Sequence, residues 1–223
     1  MRRCPNLVAL DVSETRVTGD GLTLFLHTHP NAVSVEHQDT VLAFRRLPCG
    51  GAEKQQSALA KLTCSDCSLL SDDALDAAVA NCRRVESVSL TNAAPPGIGN
   101  ESLYRLMTMR HLRELHLGNY DGGGQSAPGC AINFYEGVAP VLETCGAALK
   151  KLVLENIPEV DVAVIGEKCG GLLKLALSGT TMYKAVAKRD PDHFCHLISL
   201  ELWDDFQCCC SQTFKQCGKI HCR

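Results

Sequence analysis

The pattern that most constrains this chain is a six-residue stretch, apolar-x-x-apolar-x-apolar, which returns along most of its length. Its cleanest copies lie at 85–90, 112–117, 149–154, 172–177 and 197–202, with looser ones at 7–12 and 59–64. With Val33 as the start of a degenerate second copy, successive copies begin 26, 26, 26, 27, 37, 23 and 25 residues apart. Self-similarity at a period of about 20 to 50 residues is the mark of a stacked-repeat architecture. A unit of that length cannot bury its own apolar face, so it must pack on its neighbours.

Inside each copy the alternation of apolar and polar residues predicts a strand. Between copies, apolar residues recur at helical spacing. Helices are expected over 21–27, 40–47, 71–81 with Ser71 as N-cap, 100–109, 133–145 and 160–168. The interval of 37 residues carries Gly122-Gly123-Gly124 and Pro128. Such a run excludes a regular element and predicts a surface loop inserted near 119–130. The expected fold class is therefore α/β, a solenoid whose curved parallel sheet is backed by outer helices. It would occupy 1–207 in seven or eight units, followed by a cysteine-rich tail at 208–223 with no apolar period, expected to be disordered.

Composition narrows the function. Hydrophobic residues make up 45%, charged residues 21%, and the formal net charge is −3. This is neither a nucleic-acid-binding footprint nor a disordered chain. No apolar run reaches the roughly 18 to 20 residues that span a bilayer. The start, Met1-Arg2-Arg3-Cys4, has no apolar leader, so no secretory signal is expected and the chain should sit in the cytoplasm or nucleus. There the 14 cysteines would stay as thiols. Cys4, Cys82 and Cys169 each lie three residues before the first apolar position of a copy, Cys145 four and Cys195 two. Most are expected to act as small buried packing residues.

Motifs that would carry chemistry are weak. Cys64 and Cys67 have redox spacing, but Cys64 falls on a strand position instead of opening a helix. The tail offers Cys208, Cys209, Cys210, Cys217, His221 and Cys222, without the paired spacing of a zinc loop. His111 and His116 lack the helical face of a zinc hydrolase and are expected to be solvated polar residues. No phosphate-binding glycine loop or nucleophile elbow is present. An enzyme is not expected, and neither is a cofactor or metal.

A recognition surface is the better expectation. If the motif's apolar residues face the core, the residues between them line the opposite face of the sheet. One row is Asp11, Thr63, Ser89, His116, Val153, Ala176 and Glu201; the next is Ser13, Ser65, Thr91, Gly118, Glu155, Ser178 and Trp203. With their charged neighbours they give a candidate protein-binding set of Asp11, Glu14, Asp66, Glu114, His116, Glu155, Glu201, Trp203 and Asp204. Trp203 among Glu201, Asp204 and Asp205 would suit a protein hot spot. Excess acid disfavours nucleic acid.

The run Cys4-Pro5-Asn6-Leu7-x-x-Leu10-x-Val12-Ser13-x-Thr15-x-Val17-Thr18-Gly19-Asp20-Gly21-Leu22 resembles the cysteine-containing class of leucine-rich repeat. The copies after Cys82 and Cys169 are similar to it. That class is typical of the F-box and leucine-rich-repeat receptors of ubiquitin ligases, and of the Zyg-eleven and Zer-one receptors. The resemblance implies substrate selection by a concave repeat surface. It also implies Skp1 or cullin partners, engaged through a segment that this sequence does not include. A free-standing scaffold or inhibitor is the alternative that the same repeats allow.

Overall fold

The computed structural model describes residues 4, 6–44, 57–67, 70–92, 97–119, 132–180 and 194–202, and the backbone of 203 and 220–222. The chain begins with β1 (Ala9–Asp11), α1 (Gly19–Thr28), β2 (Ser34–Glu36), a 3₁₀ turn at Thr40–Phe44, β3 (Lys61–Cys64), α2 (Asp72–Asn81) and β4 (Ser87–Thr91). Next come α3 (Asn100–Leu103), which runs into a 3₁₀ turn at Tyr104–Thr108, then β5 (Glu114–Gly118). A π turn at Phe134–Val138 leads into α4 (Ala139–Cys145), followed by β6 (Lys151–Glu155) and α5 (Val162–Lys168). The last strands are β7 (Lys174–Ser178), β8 (Ser199–Trp203) and β9 (Ile220–Cys222).

Every strand pairing is parallel, and neighbours in sequence are neighbours in space. β1 pairs with β2, and β3 to β9 form one sheet in chain order. Parallel neighbours need crossovers, and crossovers take one hand. Strands laid down in one direction therefore carry their helical segments on one face. The fold is α/β, a parallel sheet with helices covering one side.

The core follows from the motif. Leu112, Leu115 and Leu117 are fully buried, as are Leu149, Leu152 and Leu154. β4 and β6 alternate between buried and half-buried residues. Each buried leucine contributes about 1.5–3 kcal/mol relative to exposure, so stacking of units dominates stability. Strands begin two residues after the motif's first leucine because that leucine still closes the preceding turn. The Leu112 amide donates to Met109 O (3.3 Å) and the Leu149 amide to Gly146 O (3.0 Å). In and beside β1, which pairs with β2 alone among the described residues, Leu7, Leu10 and Val12 are half-buried.

Helix caps explain the helix starts. The Ser71 hydroxyl accepts the Ala74 amide at 3.2 Å, as the sequence predicts. Asn133 caps the π turn through Glu136 N at 2.8 Å, and the Asp161 carboxylate takes the amides of Ala163 and Val164. The helices expected over 40–47 and 100–109 are instead largely 3₁₀ turns. A 3₁₀ turn rises about 2.0 Å per residue against 1.5 Å in an α-helix. The same few residues then span more of the crossover, and Gly99 before α3 offers no side-chain cap.

Three further differences have physical reasons. In the second unit Ser34 pairs with Ala9, so Ala32 and Val35 take the buried positions and Val33 is 43% exposed. The third core position is His37, buried, whose Nδ1 accepts the Asp39 amide at 3.0 Å. Next, the ladder breaks between β2 and β3 where the buried Thr40 hydroxyl takes the Thr63 amide at 2.7 Å. Finally, residues 220–222 of the tail add β9 to β8. Open backbone groups on β8 are satisfied by strand addition without any apolar period. The cysteines at 208–217 and the loop at 120–131 lie outside the described residues.

Buried asparagines join the units beyond the strands. Asn92 and Asn119 each stand two residues after a motif's last leucine, and both are buried. Asn119 Oδ1 accepts the Ile132 amide (2.9 Å), and its Nδ2 donates to the carbonyls of Ile132 (2.7 Å) and Asn156 (3.1 Å). Asn92 holds Ile98 in the same way.

Candidate interaction surface

The face of the sheet away from the helices carries three rows of positions in register. Ser89, His116, Val153, Ala176 and Glu201 align across β4 to β8, as do Thr91, Gly118, Glu155, Ser178 and Trp203. These are the two rows the alternation predicts. A third row, nearer the strand starts, is Lys61, Ser87, Glu114, Lys151, Lys174 and Ser199. Only Glu114 of that row is in the expected set, yet its three lysines change the charge of the face.

At the centre, side chains pair across strands. Ser89 Oγ lies 3.0 Å from His116 Nδ1, and His116 Nε2 lies 3.2 Å from Glu155 Oε1. The carboxylate faces Nε2 as an ion-pair partner, and the Ser89–His116 hydrogen bond takes its direction from the ring's tautomer. Contact with His116 holds the Glu155 carboxyl below its ordinary range, against the opposing effect of partial burial. Gly118 makes this possible. A Cβ there would lie 3.0 Å from Thr91 Cγ2 and 3.4 Å from Glu155 Cβ and Oε2, so its absence leaves room for Glu155 to cross towards β5. His116 is thus half-buried, hydrogen-bonded to Ser89 and in contact with Glu155, not the solvated residue expected.

Serine, histidine and carboxylate in this order have the connectivity of a nucleophile relay. β4 and β5 have partners on both sides, so their ladder engages the peptide amides that would otherwise face an oxyanion. The cluster is a cross-strand lattice on an open face. Glu36 with Lys61 (3.0 Å) and Lys174 with Glu201 (2.5 Å) extend it to both sides. Ser87 Oγ also donates to Glu114 at 3.2 Å.

The other expected site residues are scattered. Asp11, exposed at the end of β1, accepts the Ser13 amide at 2.9 Å, which lowers its carboxyl pKa. Glu14 is exposed with φ +56° in the turn that follows. Asp66 is half-buried, two residues beyond β3. Glu201 is paired with Lys174 at 2.5 Å. The backbone of Trp203 pairs with Ser178; its side chain and Asp204 lie outside the described residues.

Sequence reasoning missed the asparagine column and the lysine row, although each recurs at a constant offset from the motif. The thiols have mostly the packing role expected of them. Cys64, Cys67, Cys82, Cys145 and Cys169 are buried and free. Burial pushes Cys82 and Cys169 up to about 12. The Cys67 thiol donates to Cys64 O at 3.7 Å and is also shifted up. Cys4 and Cys195 are exposed, against expectation.

Among the described residues no three metal-ligating side chains converge, and no helix is long and apolar enough to cross a membrane. No protein-family model matches the sequence, and no curated protein matches it.

Proposed function

We propose that the chain is a stack of leucine-rich repeats that acts as a non-catalytic protein-recognition module, and that it selects substrates for a ubiquitin ligase in the cytoplasm or nucleus. One observation carries the reading: a face of in-register strands whose polar side chains are already tied to one another. The cross-strand pairs centred on His116 set the rotamers of that face before any partner arrives, which reduces the entropy lost on binding. Buried thiols at Cys82, Cys145 and Cys169 agree with the cysteine-containing repeat class, and the ligase role rests on that resemblance. The test is capture from cells of the tagged protein in its natural full length, with and without Glu114→Lys and Trp203→Ala together. Skp1 or a cullin should co-purify with both forms, and substrate proteins with the unaltered form alone. Absence of every ligase component would overturn the ligase role and favour a free-standing scaffold or inhibitor. Full retention of all partners by the double variant would overturn the assignment of the face.

A further inference from the structure

The edge of the sheet at the strand starts holds a second site, on a surface separate from the face just described. A cleft of about 580 Å³ opens between the end of α2 and the 3₁₀ turn at Tyr104–Thr108, lined among others by Asp76, Cys82, Arg83, Arg105, Arg110 and His111. Its carboxylate is already committed. Asp76 binds Arg105 Nε at 2.6 Å, and the neighbouring Asp72 approaches the same guanidinium at 3.6 Å. Arg83, Arg110 and His111 are exposed and make no ion pair among the described residues.

The positive charge continues along the edge. Arg84 follows Arg83 at the approach to β4, Arg113 precedes β5, and Lys150, which donates to Gly171 O at 3.1 Å, precedes β6. Glu86 is the one carboxylate that shares the register position of Arg113 and Lys150 among the described residues. The C-terminus of α2 explains a small part of this surplus, since a helix end presents about half a negative charge.

We infer that this edge binds an acidic peptide segment of a partner protein, one carboxylate seated between Arg83 and Arg110 and others crossing towards Arg113 and Lys150. Arg113 and Lys150 stand one strand apart in register, about 4.8 Å, while an extended peptide advances about 3.3 Å per residue. Carboxylates along such a segment meet successive basic residues, whereas a single phosphate would engage only the cleft. Single-stranded nucleic acid needs stacking platforms as well as charge. The edge positions aligned with Arg113 supply Val8, Val33, Ala60, Leu173 and Ile198, none of them aromatic. Guanidinium forks suit carboxylates in paired geometry.

The test is fluorescence anisotropy on the purified chain with four labelled probes: decaglutamate, decaglutamine, a neutral peptide bearing one phosphoserine, and decauridylate. Decaglutamate should bind, decaglutamine at least tenfold more weakly, and added salt should weaken the glutamate complex. Arg83→Glu with Arg110→Glu should lower decaglutamate affinity at least tenfold, whereas His116→Ala on the open face should leave it unchanged. If the double charge reversal alters the far-UV spectrum, Arg83→Gln with Arg110→Gln gives the same reading with less repulsion. Retained decaglutamate binding in a folded double variant would overturn the proposal. So would tighter binding of the phosphoserine peptide or of decauridylate. Because no ligase component is involved, failure here leaves the reading of the open face standing.

Discussion

His116 and Glu155, 39 residues apart in the chain, meet at 3.2 Å between Nε2 and Oε1 on adjacent strands. The contact depends on the missing side chain of Gly118, over which Glu155 lies.

A pH dependence follows. The Glu155 pKa is lowered from its usual 4.5 by His116. Its contribution to stability is therefore present above pH 4.5 and lost as pH falls through the lower folded value. The Glu155 side chain is 42% exposed, so solvent screening keeps that contribution under about 1 kcal/mol. Glu155→Gln should lower the urea midpoint at pH 7 and narrow its difference from the unaltered protein below pH 4.5. An unchanged difference across that range would show that the contact does not stabilise the fold.

Thr40 supplies the acceptor that the broken ladder lacks. Thr40→Val should cost about 1 kcal/mol, because the half-buried Thr63 amide loses its acceptor, while Thr40→Ser should restore most of it. Equilibrium urea unfolding of the three proteins compares them directly.

Asn119→Ala should be more damaging than an average surface change. It orphans the Ile132 amide and two carbonyls, at about 1–3 kcal/mol for each group left buried and unsatisfied. A fall in thermal midpoint with unchanged binding at the open face is the expected pair of results.

Gly179 has φ +57°, and a Cβ there would lie 1.8 Å from Asn156 Oδ1. The backbone penalty alone is about 1–2 kcal/mol for a residue with a Cβ. Gly179→Ala should destabilise by at least that amount, measured by chemical unfolding, with Asn156→Gly Gly179→Ala recovering the steric part.

Thiol reactivity distinguishes the exposed cysteines from the buried ones. With Cys82 and Cys169 at about 12, neither offers thiolate at pH 8. Brief iodoacetamide treatment followed by peptide mass mapping should label Cys4 and Cys195 and spare those two until denaturant is added. Labelling of Cys82 in the folded protein would contradict its burial.

Much of the fold is legible along the chain because the apolar period belongs to each unit separately. Leu112, Leu115 and Leu117 announce a half-buried strand from their spacing alone, and the hydroxyl of Ser71 before an apolar helical run announces its cap. The second unit misleads because both Ala32 and Val33 fit the first position; pairing with β1 decides for Ala32. The tail misleads because β9 is recruited by the open edge of β8, a cause that local periodicity does not carry.

The sequence by itself determined the α/β class, the order of strands and which leucines enter the core, since alternation and repeat length act within about 26 residues. Only the tertiary structure decided which polar residues meet: His116 with Ser89 and Glu155, Lys174 with Glu201, and Arg105 with Asp76, leaving Arg83 and Arg110 open. Those meetings depend on register between units of unequal length. A one-residue slip in a strand exchanges its two faces, so the positions of the charges follow from how the units stack.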